Sequence, residues 1–140
     1  MIVLEQHFEE TPPKEEMESF FAILRAYNKS EVGVSSFRTL ILLLTDSQGT
    51  VLGGLEGHTY FGWLFIENLA VDESVRKSGW GTKLLEAAHD EARRRGCHHA
   101  WLDTFSFQAL PFYEKLGYTI FGTLDDFPSS HQRYFLQRAL

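Results

Sequence analysis

The sequence has only one cysteine and no long apolar run, and each shortage excludes a class of protein. One cysteine in 140 residues cannot form an internal disulfide, which favours a reducing, cytoplasmic location. No apolar run reaches the roughly 18 residues of a membrane-spanning helix. The acidic residues Glu5, Glu9 and Glu10 are untypical of a secretory signal peptide. The sequence therefore predicts no membrane partner.

Positive charge is also scarce, with 13 Lys and Arg against 19 Asp and Glu and a net charge of −6. A protein that binds nucleic acid needs a broad basic face, so we expect no nucleic-acid partner. The negative charge is compatible with a cationic substrate. Apolar residues make up 44% of the chain, which is enough for the core of a single domain, 1–140.

Residues 63–96 contain the most informative pattern of the sequence, a predicted strand, a glycine loop and a helix. Apolar side chains fill both alternating faces from Trp63 to Val71, which predicts a central strand buried on both sides, with Glu67 its only ionisable side chain. A basic loop with two glycines follows, and then helical spacing as far as Gly96. The start of a helix after such a loop attracts anions, because its first N–H groups are unpaired and its dipole favours negative charge.

The rest of the chain alternates strand and helix signals, and this order predicts an α/β fold with a mixed sheet. The two strands that flank the helix of 82–96 should be parallel, because a helix crosses between them. The predicted elements are a strand at 2–8, a helix from about residue 12, strands at 37–45, 50–62 and 63–71, a helix at 82–96, a strand at 98–107, a helix at 108–117, and strands at 118–124 and 131–139.

The glycine loop can be compared with three phosphate-binding motifs. A P-loop needs Gly-Lys-Ser/Thr, whereas the chain has Gly81-Thr82-Lys83. A dinucleotide fingerprint follows its strand directly, whereas seven residues separate Val71 from Gly79. Arg76-x-x-Gly79-x-Gly81 matches [QR]-x-x-G-x-[GA], and the segment FYEKLGY follows at 112–118. On these two motifs the stretch from Trp63 to Tyr118 resembles the GNAT N-acyltransferase superfamily.

The resemblance implies a single GNAT-like domain, with a mixed, mostly antiparallel sheet whose central parallel strand pair is flanked by helices. It implies an acetyl-CoA-dependent N-acetyltransferase that moves the acetyl group directly to a primary amine, without a metal. We expect a small-molecule amine as acceptor. A non-catalytic acyl-CoA-binding sensor and a protein N-acetyltransferase stay open as alternatives, a nucleotide-binding domain is a distant third, and a homodimer is possible.

The resemblance also assigns roles to residues. Tyr113 would protonate the departing CoA thiolate. Ser106 stands where the family often has an asparagine that contacts pantetheine. The strand end would offer backbone groups to the pantetheine arm, through Leu69, Ala70 and Val71, and the loop would hold the pyrophosphate, through Arg76, Lys77, Ser78, Gly79, Trp80, Gly81 and Thr82.

The base that accepts the proton of the substrate ammonium is the least determined residue. Glu67 is the candidate, because a carboxylate desolvated within an apolar strand acquires a raised pKa. It could equally be a counter-ion for a cationic substrate that relays the proton through water. A structural ion pair with a lysine or arginine of a neighbouring strand is the third interpretation.

Overall fold

The computed structural model describes residues 2–34 and 36–140. The chain divides into two compact units, Met1–Ser35 and Ser36–Leu140. The first unit contains helix α1 (Lys14–Val32), which begins after Pro13 and carries two glutamates in its first turn, where the helix dipole favours negative charge. No described helix is long and apolar enough to cross a membrane.

The predicted strand at 2–8 is wrong, because these residues form neither strand nor helix. A strand needs a neighbour for its backbone N–H and C=O groups, and alternation in the sequence does not supply one. The six strands of the sheet all belong to the second unit.

The six strands form one mixed sheet in the order β1-β2-β3-β4-β6-β5, as the sequence predicts for an α/β fold. Only β3 and β4 are parallel, and all other neighbours are antiparallel. The parallel pair therefore lies at the centre. The strands are β1 (Arg38–Thr45), β2 (Val51–Tyr60), β3 (Trp63–Val71), β4 (His99–Phe105), β5 (Thr119–Asp125) and β6 (Gln132–Ala139).

Helix α2 (Trp80–Arg94) connects the two parallel strands, and the short helix α3 (Leu110–Lys115) follows β4. The apolar face of α2 is fully or nearly fully buried, and it forms the core together with the inward side chains of the central strands. Complete burial of a leucine side chain contributes about 1.5–3 kcal/mol. The core includes Leu64, Ile66, Leu84, Leu85, Ala88, Ala92, Ala100, Leu102 and Leu136.

The helix begins two residues earlier than the spacing predicts, at Trp80 instead of Thr82. Gly79 precedes it with φ +83°, a left-handed conformation that lets the loop turn sharply into the helix. The second glycine of the motif, Gly81, therefore lies inside the first helical turn and not in the loop.

In the first half of β3, one face is buried and the other is half-buried. Leu64 and Ile66 are buried against the core, while Trp63 and Phe65 are half-buried and stack on side chains of β4. From Glu67 onward the strand is mostly exposed. The expectation of burial on both faces is wrong there, because the pairing of β3 with β4 ends at Ile66 and Leu102.

Candidate active site

A cavity of about 710 Å³ opens where β3 and β4 separate. The two strands pair from Trp63 to Ile66, and beyond this point the edge of β3 that faces β4 has no strand partner among the described residues. The start of α2 and the start of α3 close the cavity on two sides. The residues that line it are Glu67, Asn68, Leu69, Ala70, Val71, Val75, Arg76, Lys77, Gly79, Trp80, Gly81, Thr82, Asp103, Thr104, Gln108, Ala109, Phe112 and Tyr113.

Most residues that the sequence singled out meet in this cavity, but two serines do not. Ser78 turns back to the backbone and donates to the carbonyl of Val75. Ser106 is bonded to β6, because its Oγ accepts from the backbone N–H of Gln132 at 3.0 Å and lies 3.3 Å from Nδ1 of His131. Neither serine lines the cavity.

Gln108 is a cavity residue that sequence reasoning missed. Its Oε1 accepts from the backbone N–H of Phe105 at 3.0 Å and from the Thr104 hydroxyl at 3.3 Å, which leaves the amide NH₂ without a protein partner among the described residues. The sequence did contain a signal for this residue, because Gln108 has a side-chain amide and lies two positions after Ser106 in the same loop. Asn68 was missed too; its side chain donates to Glu56 at 2.8 Å.

The loop between β3 and α2 has the features of an anion site. Asp72 stabilises its first turn by accepting from the N–H of Ser74 at 2.9 Å. Arg76 is anchored by its Nε, which donates to the carbonyl of Val71 at 3.0 Å. The start of α2 has no side-chain cap and no acidic residue in its first turn, so its free N–H groups and dipole are available to a negative ligand.

Glu67 occupies a β-bulge. Glu56 of β2 pairs with Asn68 and Gly57 pairs with Ile66, so Glu67 is an extra residue without a partner in β2. A Cβ at Gly57 would lie 2.2 Å from the backbone oxygen of Phe65, so only glycine permits this close approach. The bulge directs Glu67 to the cavity, but the residue is exposed, and the expected desolvation of its carboxylate is therefore wrong.

Tyr113 lies on α3 and is 92% buried, with part of its surface on the cavity. Its ring meets those of Phe112 and Tyr118 edge to face, at centroid distances of 5.1 and 6.0 Å. Burial, and then the negative charge of Asp103, raise the pKa of Tyr113 to about 12. The phenol therefore stays protonated across the physiological pH range, so it can act only as a proton donor.

The cavity thus joins a basic loop and a free helix start, an unpaired strand edge and a protonated tyrosine. The description of the family model that matches residues 2–118 is "Acetyltransferase (GNAT) family". The chain belongs to the GNAT acetyltransferase family. This family uses acetyl-CoA.

Two curated relatives and one solved structure support the assignment, and a second solved structure shares the fold. The acetyltransferase Atu2258 of Agrobacterium fabrum (strain C58 / ATCC 33970) is 40% identical over 115 residues, which are 82% of this chain and 84% of that protein. The blasticidin-S acetyltransferase of Streptomyces morookaense is 34% identical over 94 residues, 66% of this chain and 69% of that protein.

A crystal structure from Agrobacterium tumefaciens superposes with a TM-score of 0.90 at 34% identity, over 98% of this chain and 100% of that chain. A structure from Bacillus anthracis str. Ames in complex with acetyl coenzyme A shares the fold, with a TM-score of 0.64 at 21% identity, over 73% of this chain and 62% of that chain.

Proposed function

We propose that this GNAT acetyltransferase moves the acetyl group of acetyl-CoA directly to a primary amine of a small molecule. The observation that carries the proposal is the shared cavity, in which the uncapped start of α2, the free edge of β3 and Tyr113 all face one volume. These are the parts that binding an anionic coenzyme, aligning a thioester and protonating a thiolate require.

The loop and helix start fit the pyrophosphate of CoA. Arg76 and Lys77 supply positive charge, and Gly79 leaves open space, since nothing lies within 4 Å of where a Cβ would be. The free N–H groups at the start of α2 donate to phosphate oxygens without any conformational change. Gln108 is better situated than Ser106 for the pantetheine contact, because its free amide belongs to the cavity wall.

The free edge of β3 serves the thioester. Leu69, Ala70 and Val71 line the cavity beyond the last pair with β4. An N–H held there can donate to the thioester carbonyl oxygen and stabilise the negative charge that develops during attack. Tyr113 then gives its proton to the departing sulfur.

Glu67 is suited to the acceptor amine. Its exposed carboxylate at the cavity can attract the substrate ammonium and take up its proton directly or through water. The names of two curated relatives, blasticidin-S acetyltransferase and the 31% identical streptothricin acetyltransferase of Streptomyces lavendulae, support a small-molecule acceptor.

An acceptor screen tests the proposal. The purified protein is mixed with acetyl-CoA and a panel of small amines and peptide amino termini, free CoA thiol is measured over time, and acetylated products are identified by mass spectrometry. We expect amine-dependent CoA release and an N-acetylated small molecule. Saturable acetyl-CoA binding with no product from any amine would instead support the acyl-CoA sensor, and exclusive turnover of peptides would support a protein acetyltransferase.

A further inference from the structure

Asp103 and Glu67 both lie at the point where the two parallel strands separate. Ile66 and Leu102 are the last paired residues of β3 and β4, and Glu67 and Asp103 are the next residue on each strand. Both line the cavity that also contains Tyr113. Both carboxylates therefore lie at the point where the two strands separate; Glu67 is exposed, whereas only 16% of the Asp103 side chain is exposed.

The Asp103 carboxylate is fixed through one of its two oxygens. Oδ1 accepts from Nε of Arg133 at 2.8 Å and lies 2.7 Å from Nη2 of the same guanidinium. The Arg133 guanidinium lies 5.0–5.3 Å from the ring centroids of Phe105, Phe127 and Phe135, which hold it by cation–π contacts. An arginine held in this way cannot follow a ligand, so the orientation of the carboxylate is set before any ligand binds.

The second oxygen of Asp103 is available. No group of residues 2–34 or 36–140 donates to Oδ2, although only 16% of the side chain is exposed. A carboxylate oxygen that has lost most of its water gains most from a charged donor, because hydrogen bonds with ionised groups are stronger than neutral ones. The effect of Asp103 on the pKa of Tyr113 agrees with a carboxylate close to the reacting centre.

Charge is divided between the two ends of the cavity. Arg76 and Lys77 belong to the loop before α2, whereas Glu67 and Asp103 belong to the point where β3 and β4 separate. The loop suits an anionic coenzyme, and the carboxylates would repel one. The carboxylates therefore suit a positive ligand, and two carboxylates at one opening match two positive groups better than one.

We infer that Asp103 binds a second cationic group of the acceptor at its free oxygen, while Glu67 serves the amine that is acetylated. This inference rests on the proposed function and narrows it to acceptors with two positive nitrogens, such as diamines. Asp103 is then a residue that determines specificity. It lowers the KM of dications and leaves the KM of a monoamine unchanged.

Matched acceptors test the inference. Diaminoalkanes from diaminopropane to diaminooctane are each compared with the amino alcohol of the same chain length. The wild-type protein should prefer the best diamine by roughly 10- to 100-fold in kcat/KM, the value of one charged hydrogen bond. Asp103→Asn should abolish this preference by raising the KM of the diamine alone, whereas any change in kcat through the effect of Asp103 on Tyr113 should be equal for the diamine and the amino alcohol. Asp125→Asn, an exposed carboxylate outside the cavity, is the control.

The outcomes separate the inference from the proposed function. Turnover of both acceptor types with no preference for diamines, or a preference that survives in Asp103→Asn, overturns the role of Asp103 and leaves the acetyltransferase intact. An equal loss for both acceptors assigns Asp103 to structure or general catalysis, which also overturns it. If Asp103→Asn melts early because Arg133 is unpaired, the double variant Asp103→Asn/Arg133→Gln removes both charges and is measured in the same way. No turnover of any amine refutes the proposed function itself.

Discussion

Tyr113 and Tyr118 are neighbouring buried tyrosines, and only Tyr113 faces the cavity. Tyr118 is hydrogen bonded to Nε2 of His89 at 2.7 Å. Tyr113→Phe removes one hydroxyl from the active site and little packing. We expect turnover to fall by roughly 10²–10⁴, the usual contribution of a positioned acid, with unchanged acetyl-CoA affinity. The loss should shrink between about pH 7 and pH 9, since a thiol of pKa near 8.5 then leaves more readily without a proton.

Tyr118→Phe is the matched control for this prediction. It also deletes a buried phenolic hydroxyl, and it should lower the free energy of unfolding by about 1 kcal/mol through the lost bond to His89 while turnover stays near wild type. Steady-state kinetics and thermal melts of both variants are compared across the pH range. Wild-type turnover by Tyr113→Phe at pH 7, with chemistry rate-limiting, would remove it as the acid.

Among the elements, the loop before α2 depends on one glycine conformation. Gly79 has φ +83° with nothing near its Cβ position, and Gly49, in the turn between β1 and β2, has φ +81° with the same open space. Alanine at either position should therefore cost a similar free energy, about 1 kcal/mol, from backbone strain alone. Only Gly79→Ala should also weaken acetyl-CoA binding, because its relaxation moves the free N–H groups of the α2 start.

Calorimetric titration with CoA, together with melting curves of the two glycine variants, checks this expectation. Equal melting temperatures with reduced CoA affinity in Gly79→Ala alone would tie the loop geometry to the pyrophosphate. A CoA affinity that is unaffected in Gly79→Ala would refute the assignment of the loop.

The positions of strands and helices were more predictable from the sequence than strand pairing and side-chain exposure. Alternation and helical spacing predicted all six strands of the sheet and the parallel pair, because those patterns follow from backbone geometry. The strand at 2–8 was wrong, since pairing depends on a distant partner. The exposure of Glu67 was also missed, because it depends on where β4 leaves β3 and on a bulge that a glycine in β2 permits.

The same limit applies within the site. Gly79 and Tyr113 could be assigned to the site from the sequence, because each belongs to a motif of closely spaced residues. Asp103 could not be assigned to the acceptor end in this way, because its environment comes from Arg133, thirty residues later in the chain. Gln108 and Ser106 lie in one loop, and the sequence does not say which of them turns inward.

For the molecule as a whole, His89 links pH to stability. It belongs to α2, is 2% exposed and is hydrogen bonded to Tyr118. Burial first, and then the charges of Arg138 and Arg93, lower its pKa from 6.5 to about 4. The unfolded chain therefore binds this proton at higher pH than the folded one. The contribution of neutral His89 to stability is therefore present above about pH 6.5 and is lost as the pH falls toward 4.

The size of this loss follows from the pKa difference. Between pH 7 and pH 4.5 the free energy of unfolding should decrease by about 2.5 kcal/mol through His89 alone, since each pKa unit corresponds to about 1.4 kcal/mol. Denaturant unfolding at closely spaced pH values measures the decrease, and His89→Gln, which cannot take up the proton, should lack this part of it. Parallel curves for the variant and the wild type over that interval would mean that His89 is not the titrating group. The pKa values of Asp46, Asp72 and Glu91 are lowered, so the contributions of these three carboxylates to stability should be lost mainly below pH 4.5.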